Sequence, residues 1–204
     1  IIVSPKKDWF KFDVSGIWRY RDLILFFIRR DLATEYKQTV LGVSYHIINP
    51  IASTFIKVVI FGKIANLSTD GIPQFLFYLS GGIMWSYFSK CLAIGRGVFL
   101  NNRELYSQVY IPKLAVPIAN IISEFIKLFM QIILFIVFFF YYQYNGVDLQ
   151  PSLTIVIILP ILFLQCSFLG LGFGLILSSF TTRYRDLNFL GGYINSFWMY
   201  ASPV

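Results

Sequence analysis

Long, continuous apolar runs are the feature that most restricts what this chain can fold into. The run at residues 115–142 contains only Glu124 and Lys127 as charged side chains, and the run at 153–180 contains none. A helix of about 20 apolar residues crosses a hydrocarbon core of about 30 Å, whereas a membrane β-barrel needs many strands of about ten residues in strict alternation. The runs therefore predict an all-α polytopic membrane protein.

The composition points the same way. Of 204 residues, 57% are hydrophobic and 13% are charged, whereas about 25% of residues are charged in an average soluble domain. A soluble fold does not have enough interior to hide that much apolar surface. A lipid bilayer is therefore the expected solvent for most of the chain.

Five membrane-spanning helices are predicted, over residues 41–65, 72–94, 115–142, 153–180 and from 187 onward. Before them, residues 1–40 interleave aromatic side chains with charges, which predicts a cytoplasmic amphipathic segment lying in the headgroup plane; a solvated tail is the alternative. Residues 41–204 then form the transmembrane domain. Because residue 204 comes about 18 residues into the fifth span, we expect this domain to be incomplete at its C-terminus.

Three local signals refine the spans. Pro50 should kink the first helix, because it removes a backbone donor. The run Gly170-x-x-x-Gly174 predicts close helix packing in the fourth span. The segment 95–117 is polar and contains Pro112 and Pro117, so we predict a connector with one short helix.

The distribution of basic residues predicts the orientation in the membrane. Of the 17 Lys and Arg residues, 13 fall in the N-terminal segment, the second-to-third connector and the loop after the fourth span, and none fall in the two opposite loops. Because positive loops resist translocation, the N-terminus and the basic loops are expected in the cytoplasm. Topology thus accounts for the net charge of +7, and no nucleic-acid partner is expected. The 13 residues are Lys6, Lys7, Lys11, Arg19, Arg21, Arg29, Arg30, Lys37, Arg96, Arg103, Lys113, Arg183 and Arg185.

A few polar side chains lie within the apolar runs, where an ionisable group costs about 3 kcal/mol unless it is paired or hydrated. Glu124 and Lys127 are three residues apart and can pair on one helix face; a water-filled cavity is the open alternative. Lys57 and Gln131 are the other such residues, and His46 is interpreted as a packing or cavity-lining residue.

No enzymatic motif is visible. The single histidine has no catalytic partner at useful spacing, and no phosphate-binding loop of the form G-x-x-x-x-G-K-S/T occurs. Cys91 and Cys166 lie in apolar segments without metal-ligand spacing, so they are interpreted as core residues and no metal site is expected. If ATP drives this protein, another chain binds it.

Several short motifs together resemble the polysaccharide-exporting ABC-2 permeases, which export O-antigen, capsule or teichoic acid chains. The resemblance runs from about residue 20 to the end, and one departure is Glu35, where these permeases usually carry a basic residue. The motifs are Arg30-Asp31-Leu32, Tyr36-Lys37-Gln38-Thr39-Val40-Leu41-Gly42, Asn49-Pro50, Phe61-Gly62-Lys63-Ile64-Ala65, Gly82-Ile83-Met84-Trp85-Ser86-Tyr87-Phe88-Ser89, Val109-Tyr110-Ile111-Pro112-Lys113 and Tyr184-Arg185-Asp186-Leu187.

The resemblance implies a transport subunit rather than an enzyme. It implies a pair of such subunits in a bacterial cytoplasmic (inner) membrane, joined to two nucleotide-binding ATPase subunits that bind ATP and Mg²⁺, and moving a lipid-linked polysaccharide. Membrane lipid is the other expected contact. A re-entrant extracytoplasmic hairpin and a sixth span would follow residue 204. Within this chain, it assigns Arg30, Asp31, Tyr36 and Lys37 to the interface helix.

The connector 95–117 is the candidate coupling segment. It mixes charged residues with apolar anchors, a combination suited to docking a soluble subunit; an ordinary solvated loop is the alternative. The candidate residues are Arg96, Arg103, Glu104, Tyr106, Tyr110, Ile111 and Lys113.

Aromatic residues beside polar ones mark a candidate substrate path. Tyr193, Phe197 and Tyr200 recur at i, i+4 and i+7 and so share one helix face. Sugars present apolar C–H faces that stack on rings, although a packing face would show the same period. The resemblance, in which the first and fifth spans line the channel, favours the path. Tyr45, Asn49 and Trp198 complete the candidate set.

Two other classes of protein are alternatives to a polysaccharide-exporting permease. A drug- or lipid-exporting ABC-2 permease would share the architecture but resembles the Arg-Asp-Leu and Gln-Thr-Val-Leu-Gly motifs less well. A membrane glycosyltransferase or acyltransferase needs acidic or His residues clustered at one interface. The loops predicted to be extracytoplasmic offer only Asp70 and Asp148, which argues against that class.

Overall fold

The structure is a computed structural model that describes residues 20–37, 44–108, 114–147, 149, 154–183 and 187–202, with residues 36, 37, 182, 183 and 187–190 described by their backbone alone. All regular structure in these ranges is helical. The helices are α1 (Arg21–Lys37), α2 (Tyr45–Lys57, continued as a wider π-helix over Val58–Ile64), α3 (Gln74–Asn101), α4 (Arg103–Gln108), α5 (Ala115–Tyr144), α6 (Thr154–Arg183) and α7 (Leu187–Ala201).

Helix α3 is the centre of the bundle. It packs against α2, α5, α6 and α7, and its longest seam is with α6. Two apolar clusters lie along it. One surrounds Val98 near its end and includes residues of α1 and α5, and the other surrounds Leu79, Ile83 and Tyr87 in its first half.

Glycines set the α3–α6 seam. A Cβ placed on Gly174 of α6 would lie 2.5 Å from the carbonyl oxygen of Leu92 and 2.8 Å from Gly95 Cα, and one on Gly170 would lie 2.7 Å from Cys91 Cβ. The two backbones approach this closely only because neither glycine carries a side chain. The predicted packing role of Gly170 and Gly174 is confirmed.

The predicted start of the connector at residue 95 was wrong, and the α3–α6 seam explains why. Helix α3 continues through Gly95 to Asn101, seven residues past its predicted end at residue 94. Glycines at 95 and 97 disfavour helix locally, but the contact of Gly95 with Gly174 stabilises the helical path. Arg96 therefore lies in a packed helix rather than in a loop. The predicted short helix of the connector is α4.

The remaining boundaries agree within a few residues. The first, third and fourth predicted spans correspond to α2, α5 and α6, although α6 extends to Arg183 into the predicted charged loop. The loop after α2 turns through left-handed backbone at Asn66, Asp70 and Gly71, with φ values of 50°, 49° and 85°. Pro50 lies within α2, and the kink predicted there stays a prediction.

Three of the described helices are long and apolar enough to cross a membrane: Tyr45–Ile64, Ala115–Tyr144 and Thr154–Thr181. The chain is therefore an all-α membrane protein. With 28 residues, α3 is about 42 Å long, but Ser80, Ser86, Ser89 and Lys90 lower its hydropathy, and α7 has 15 residues. The count of five spans stays a prediction.

Candidate functional site

Helix α1 is fastened along α5 by an apolar seam in its first half. Ile24, Phe27 and Ile28 are buried against Val98 of α3 and against Ala115, Val116 and Ala119 of α5. The opposite side of α1 leaves Leu25 and Phe26 exposed. Exposed apolar side chains suit a membrane surface, and the predicted position of this segment in the headgroup plane stays a prediction.

Five titratable side chains from four helices form one ion network. Glu35 of α1 contacts Lys127 of α5 through Oε2, and its Oε1 lies 3.2 Å from Nε2 of His46 in α2. Lys127 Nζ also donates to Glu124 Oε1 at 2.7 Å, and Glu124 Oε2 lies 3.2 Å from Lys90 Nζ of α3. The network thus joins α1, α2, α3 and α5.

The ion network is buried at its centre and balanced in charge. His46 is 2% exposed, and the side chains of Lys127 and Glu124 are 8% and 13% exposed, whereas those of Glu35 and Lys90 are 33% and 37% exposed. Two carboxylates face two ammonium groups, so the network is neutral when the imidazole is neutral. Removing one member leaves an uncompensated charge, which is far more destabilising than the intact arrangement.

The predicted Glu124–Lys127 pair is confirmed, and it is one part of this larger arrangement. Glu35, His46 and Lys90 were missed as its partners. Glu35 alone carried a signal, since it departs from the motif around it and follows Phe27 and Asp31 at intervals of four residues.

A polar cavity of about 350 Å³ lies one helical turn from the ion network, between α1, α3 and α5. Arg30 and Asp31 of the interface helix line it, together with Asn101 and Asn120. Arg30 Nη2 donates to Asp31 Oδ1 at 3.0 Å. With the Asn120 amide oriented by its hydrogen-bond pattern, its nitrogen donates to Asp31 Oδ2 at 2.8 Å. Neither Glu124 nor Lys127 lines this cavity.

The described coupling candidates divide into anchors and exposed groups. In α4, Tyr106 and Leu105 pack on the apolar cluster that also holds α1, and the Tyr106 ring lies 6.2 Å from the ring of Phe99. Burial raises the pKa of the Tyr106 phenol above its ordinary value. Arg103 and Glu104 are exposed.

Of the remaining coupling and interface candidates, Arg96 is the one whose side chain the structure describes. Arg96 lies against Gly191 of α7, where an added Cβ would meet its guanidinium. Tyr110, Ile111 and Lys113 lie outside the described residues, as do the side chains of Tyr36 and Lys37.

Helix α7 presents two different faces. Asn195 accepts a hydrogen bond from Ser89 of α3 at 3.1 Å, and Trp198 packs edge-on against Phe88 and Phe173. The opposite face carries the predicted aromatic triad, Tyr193, Phe197 and Tyr200, which are 75%, 78% and 77% exposed. The triad is therefore largely free of packing contacts with the described residues, whereas Trp198 packs against α3 and α6.

Tyr45 and Asn49, the path candidates of α2, are both exposed at its first turns. The Tyr45 ring packs edge-on against the His46 ring, with 5.8 Å between the ring centroids. Tyr45 is therefore in contact with a member of the ion network. Helices α2 and α7 each pack on α3. Among the described residues, no group of three His, Cys, Asp or Glu side chains is arranged to hold a metal ion.

Comparison with known proteins defines the class. The sequence profile of the ABC-2 type transporter family matches residues 22–204. The chain therefore belongs to the ABC-2 type transporter family.

Named relatives lie within the same class. The chain is 23% identical over 192 residues to the O-antigen export system permease protein RfbA of Myxococcus xanthus, a match that covers 94% of this chain and 70% of that protein. It is 24% identical over 184 residues to a protein of the same name from Klebsiella pneumoniae, covering 90% of this chain and 68% of that protein.

Proposed function

We propose that this chain is the permease subunit of an ATP-driven exporter that moves a lipid-linked polysaccharide across the bacterial cytoplasmic membrane. The observation that carries the proposal is its similarity, over nine-tenths of its length, to permeases named for O-antigen export. A polysaccharide of the O-antigen, capsule or teichoic acid type is the proposed substrate class.

The proposed assembly contains two copies of this chain and two nucleotide-binding ATPase subunits. ATP and Mg²⁺ would bind to those subunits, because the chain carries no phosphate-binding loop of its own. The N-terminus and the ends of α3 and α6 would face the cytoplasm. Twelve basic residues outside α3 support this orientation, since the opposite loops contain none.

The proposed path runs along the aromatic face of α7. Exposed rings suit a polysaccharide, because ring stacking on sugar C–H faces is strong enough to admit a polymer and weak enough to release it. Three large rings exposed on one side of a helix meet either lipid or a partner, and in this proposal they meet the glycan in a channel shared with the second copy. Tyr45 and Asn49 would contribute from α2.

The proposed coupling surface is α4 with residues 109–113. Its anchors, Leu105 and Tyr106, are half-buried against the same apolar cluster as α1, so a push on α4 would be transmitted to α1, α3 and α5 together. Its exposed Arg103 and Glu104 would meet the ATPase subunit.

The test is export in cells that depend on this chain. Deleting its gene should abolish surface polysaccharide while the lipid-linked polymer accumulates in the cytoplasmic leaflet, and the intact gene should restore export. An ATPase subunit whose phosphate-loop Lys is replaced should reproduce the deletion. Surface polysaccharide that is unchanged in the deletion would contradict the proposal. If the deletion instead abolishes the export of a drug, or of a lipid that carries no polysaccharide, the chain is a permease for those compounds.

A further inference from the structure

In the second half of α1, Leu32 packs on the apolar cluster around Val98, and polar side chains supply the other attachments to the bundle that are described here. Phe27, Asp31 and Glu35 recur at intervals of four residues and share the face that meets α5. Phe27 lies in the apolar seam, Asp31 accepts from Asn120, and Glu35 contacts Lys127. Along this face, the contacts of α1 with α5 thus change from an apolar side chain at Phe27 to charged side chains at Asp31 and Glu35.

Glu35 is the member of the ion network that joins α1 to the rest. Its two oxygens divide between Lys127 of α5 and His46 of α2, so one carboxylate bridges three helices. Without it, Lys127 and Lys90 still share Glu124, and α3 and α5 remain tied. The ties of the network to α1 and, through His46, to α2 would be lost.

We propose that Glu35 is a positioning residue that makes the interface helix α1 move together with α2 and α5 when the ATPase subunits close. The inference rests on the proposed function, because it assigns Glu35 a part in transmitting ATP-driven movement to the substrate path. Tyr45, at the entrance of that path, lies next to His46 in the sequence and contacts its ring. Movement of α1 would therefore reach the path through the contact of Glu35 with His46 and the contact of His46 with Tyr45.

The charges of the ion network allow a positioning role to be separated from a structural one. Glu35→Gln leaves two ammonium groups against one carboxylate, and Lys127→Gln leaves two carboxylates against one ammonium. The double variant is neutral again, since Lys90 and Glu124 still pair. It restores the charge balance without restoring the tie to α1.

The experiment uses the full permease assembled with its ATPase subunits in lipid nanodiscs. Thermal stability, polysaccharide moved per ATP hydrolysed, and the distance between spin labels at Thr34 and Ile133 are measured for both single variants and the double. Both label sites are exposed, one in α1 and one in α5. Asp22→Asn is the matched control, because it neutralises a carboxylate of the same helix whose side chain is 90% exposed.

We expect both single variants to melt at a lower temperature and the double to melt near the wild type. Polysaccharide moved per ATP should fall about tenfold in Glu35→Gln and stay low in the double. The distribution of spin-label distances should broaden in Glu35→Gln and in the double variant. Asp22→Asn should match the wild type in all three measurements.

Transport per ATP that recovers in the double together with its melting temperature would overturn the inference and leave Glu35 a purely structural residue. A spin-label distribution in the double that equals the wild type would do the same. If the wild type hydrolyses ATP but moves no polysaccharide, the proposed function fails, and the spin-label distances still decide whether Glu35 ties α1 to α5.

Discussion

Gly174 of α6 meets Gly95 of α3 so closely that a Cβ on Gly174 would lie 2.8 Å from the Gly95 Cα. The contact lies in the C-terminal half of both helices, in the most extensive helix–helix seam among the described residues. On one side of the contact, α3 contributes Val98 to the apolar cluster that holds α1 and α4. On the other side, α6 packs against Trp198 of α7 through Phe173. Four predictions start from this seam and from the surfaces that it positions.

Replacing Gly174 with Ala should lower the free energy of unfolding by about 2 kcal/mol, because the added methyl group meets backbone atoms that have no rotamer to change. The measurement is the melting temperature of the purified permease in detergent. Gly172→Ala is the control on the same helix, since nothing lies within 4 Å of a Cβ at that position. Equal melting temperatures for the two variants would show that the α3–α6 seam separates readily.

Truncating the exposed rings of α7 should reduce export without loss of the folded protein. We expect Tyr193→Ala, Phe197→Ala and Tyr200→Ala each to lower surface polysaccharide, and Leu at the same positions to restore it only in part, because Leu supplies volume without a stacking face. Phe168→Ala is the control, a ring on α6 that is 75% exposed. Full export in every Ala variant, or full recovery with Leu, would remove the rings from the path.

Charge reversal at Arg103 should separate ATP hydrolysis from export. Arg103 is exposed on α4, so Arg103→Glu leaves the fold intact while it opposes a docking partner electrostatically. Export per ATP should fall, with the amount of permease in the membrane unchanged. The double change Tyr110→Glu with Ile111→Glu should have the same effect. Unchanged export by these variants would make the connector an ordinary loop.

Cysteine labelling should establish the orientation. Ser68→Cys and Asn145→Cys should react with an impermeant reagent in intact cells, and Arg103→Cys should react only after permeabilisation, because the basic loops resist translocation. All three positions are exposed. The wild type is the background control, since its buried Cys91 and half-buried Cys166 are the native thiols. Labelling of Arg103→Cys in intact cells would reverse the topology.

Local chemistry made the helices of this protein predictable. Long apolar runs with few charges located α2, α5 and α6 within a few residues, because lipid requires the backbone to satisfy its hydrogen bonds within the helix. Gly170 and Gly174 were recognisable as packing residues from their spacing alone. The exposed triad of α7 was recognisable as one face from the helical period.

The end of α3 was not predictable in this way. Gly95, Arg96 and Gly97 have the composition of a loop, and the helix continues through them because Gly174 of another helix packs on Gly95. The two faces of α7 likewise depend on contacts that α3 and α6 make with Asn195 and Trp198.

The sequence by itself determined that the chain is a helical membrane protein and where its main apolar helices run, since both follow from continuous apolar runs, and the spacing of three residues showed that Glu124 can pair with Lys127. Only the tertiary structure decided that Glu35, His46 and Lys90 join that pair. These residues are separated by 11 to 92 positions along the chain, and helical periodicity relates residues only within one helix. Which charges meet depends on how four helices pack, and the burial of Glu124 and Lys127 favours the meeting, because an unpaired charge at these two positions is costly.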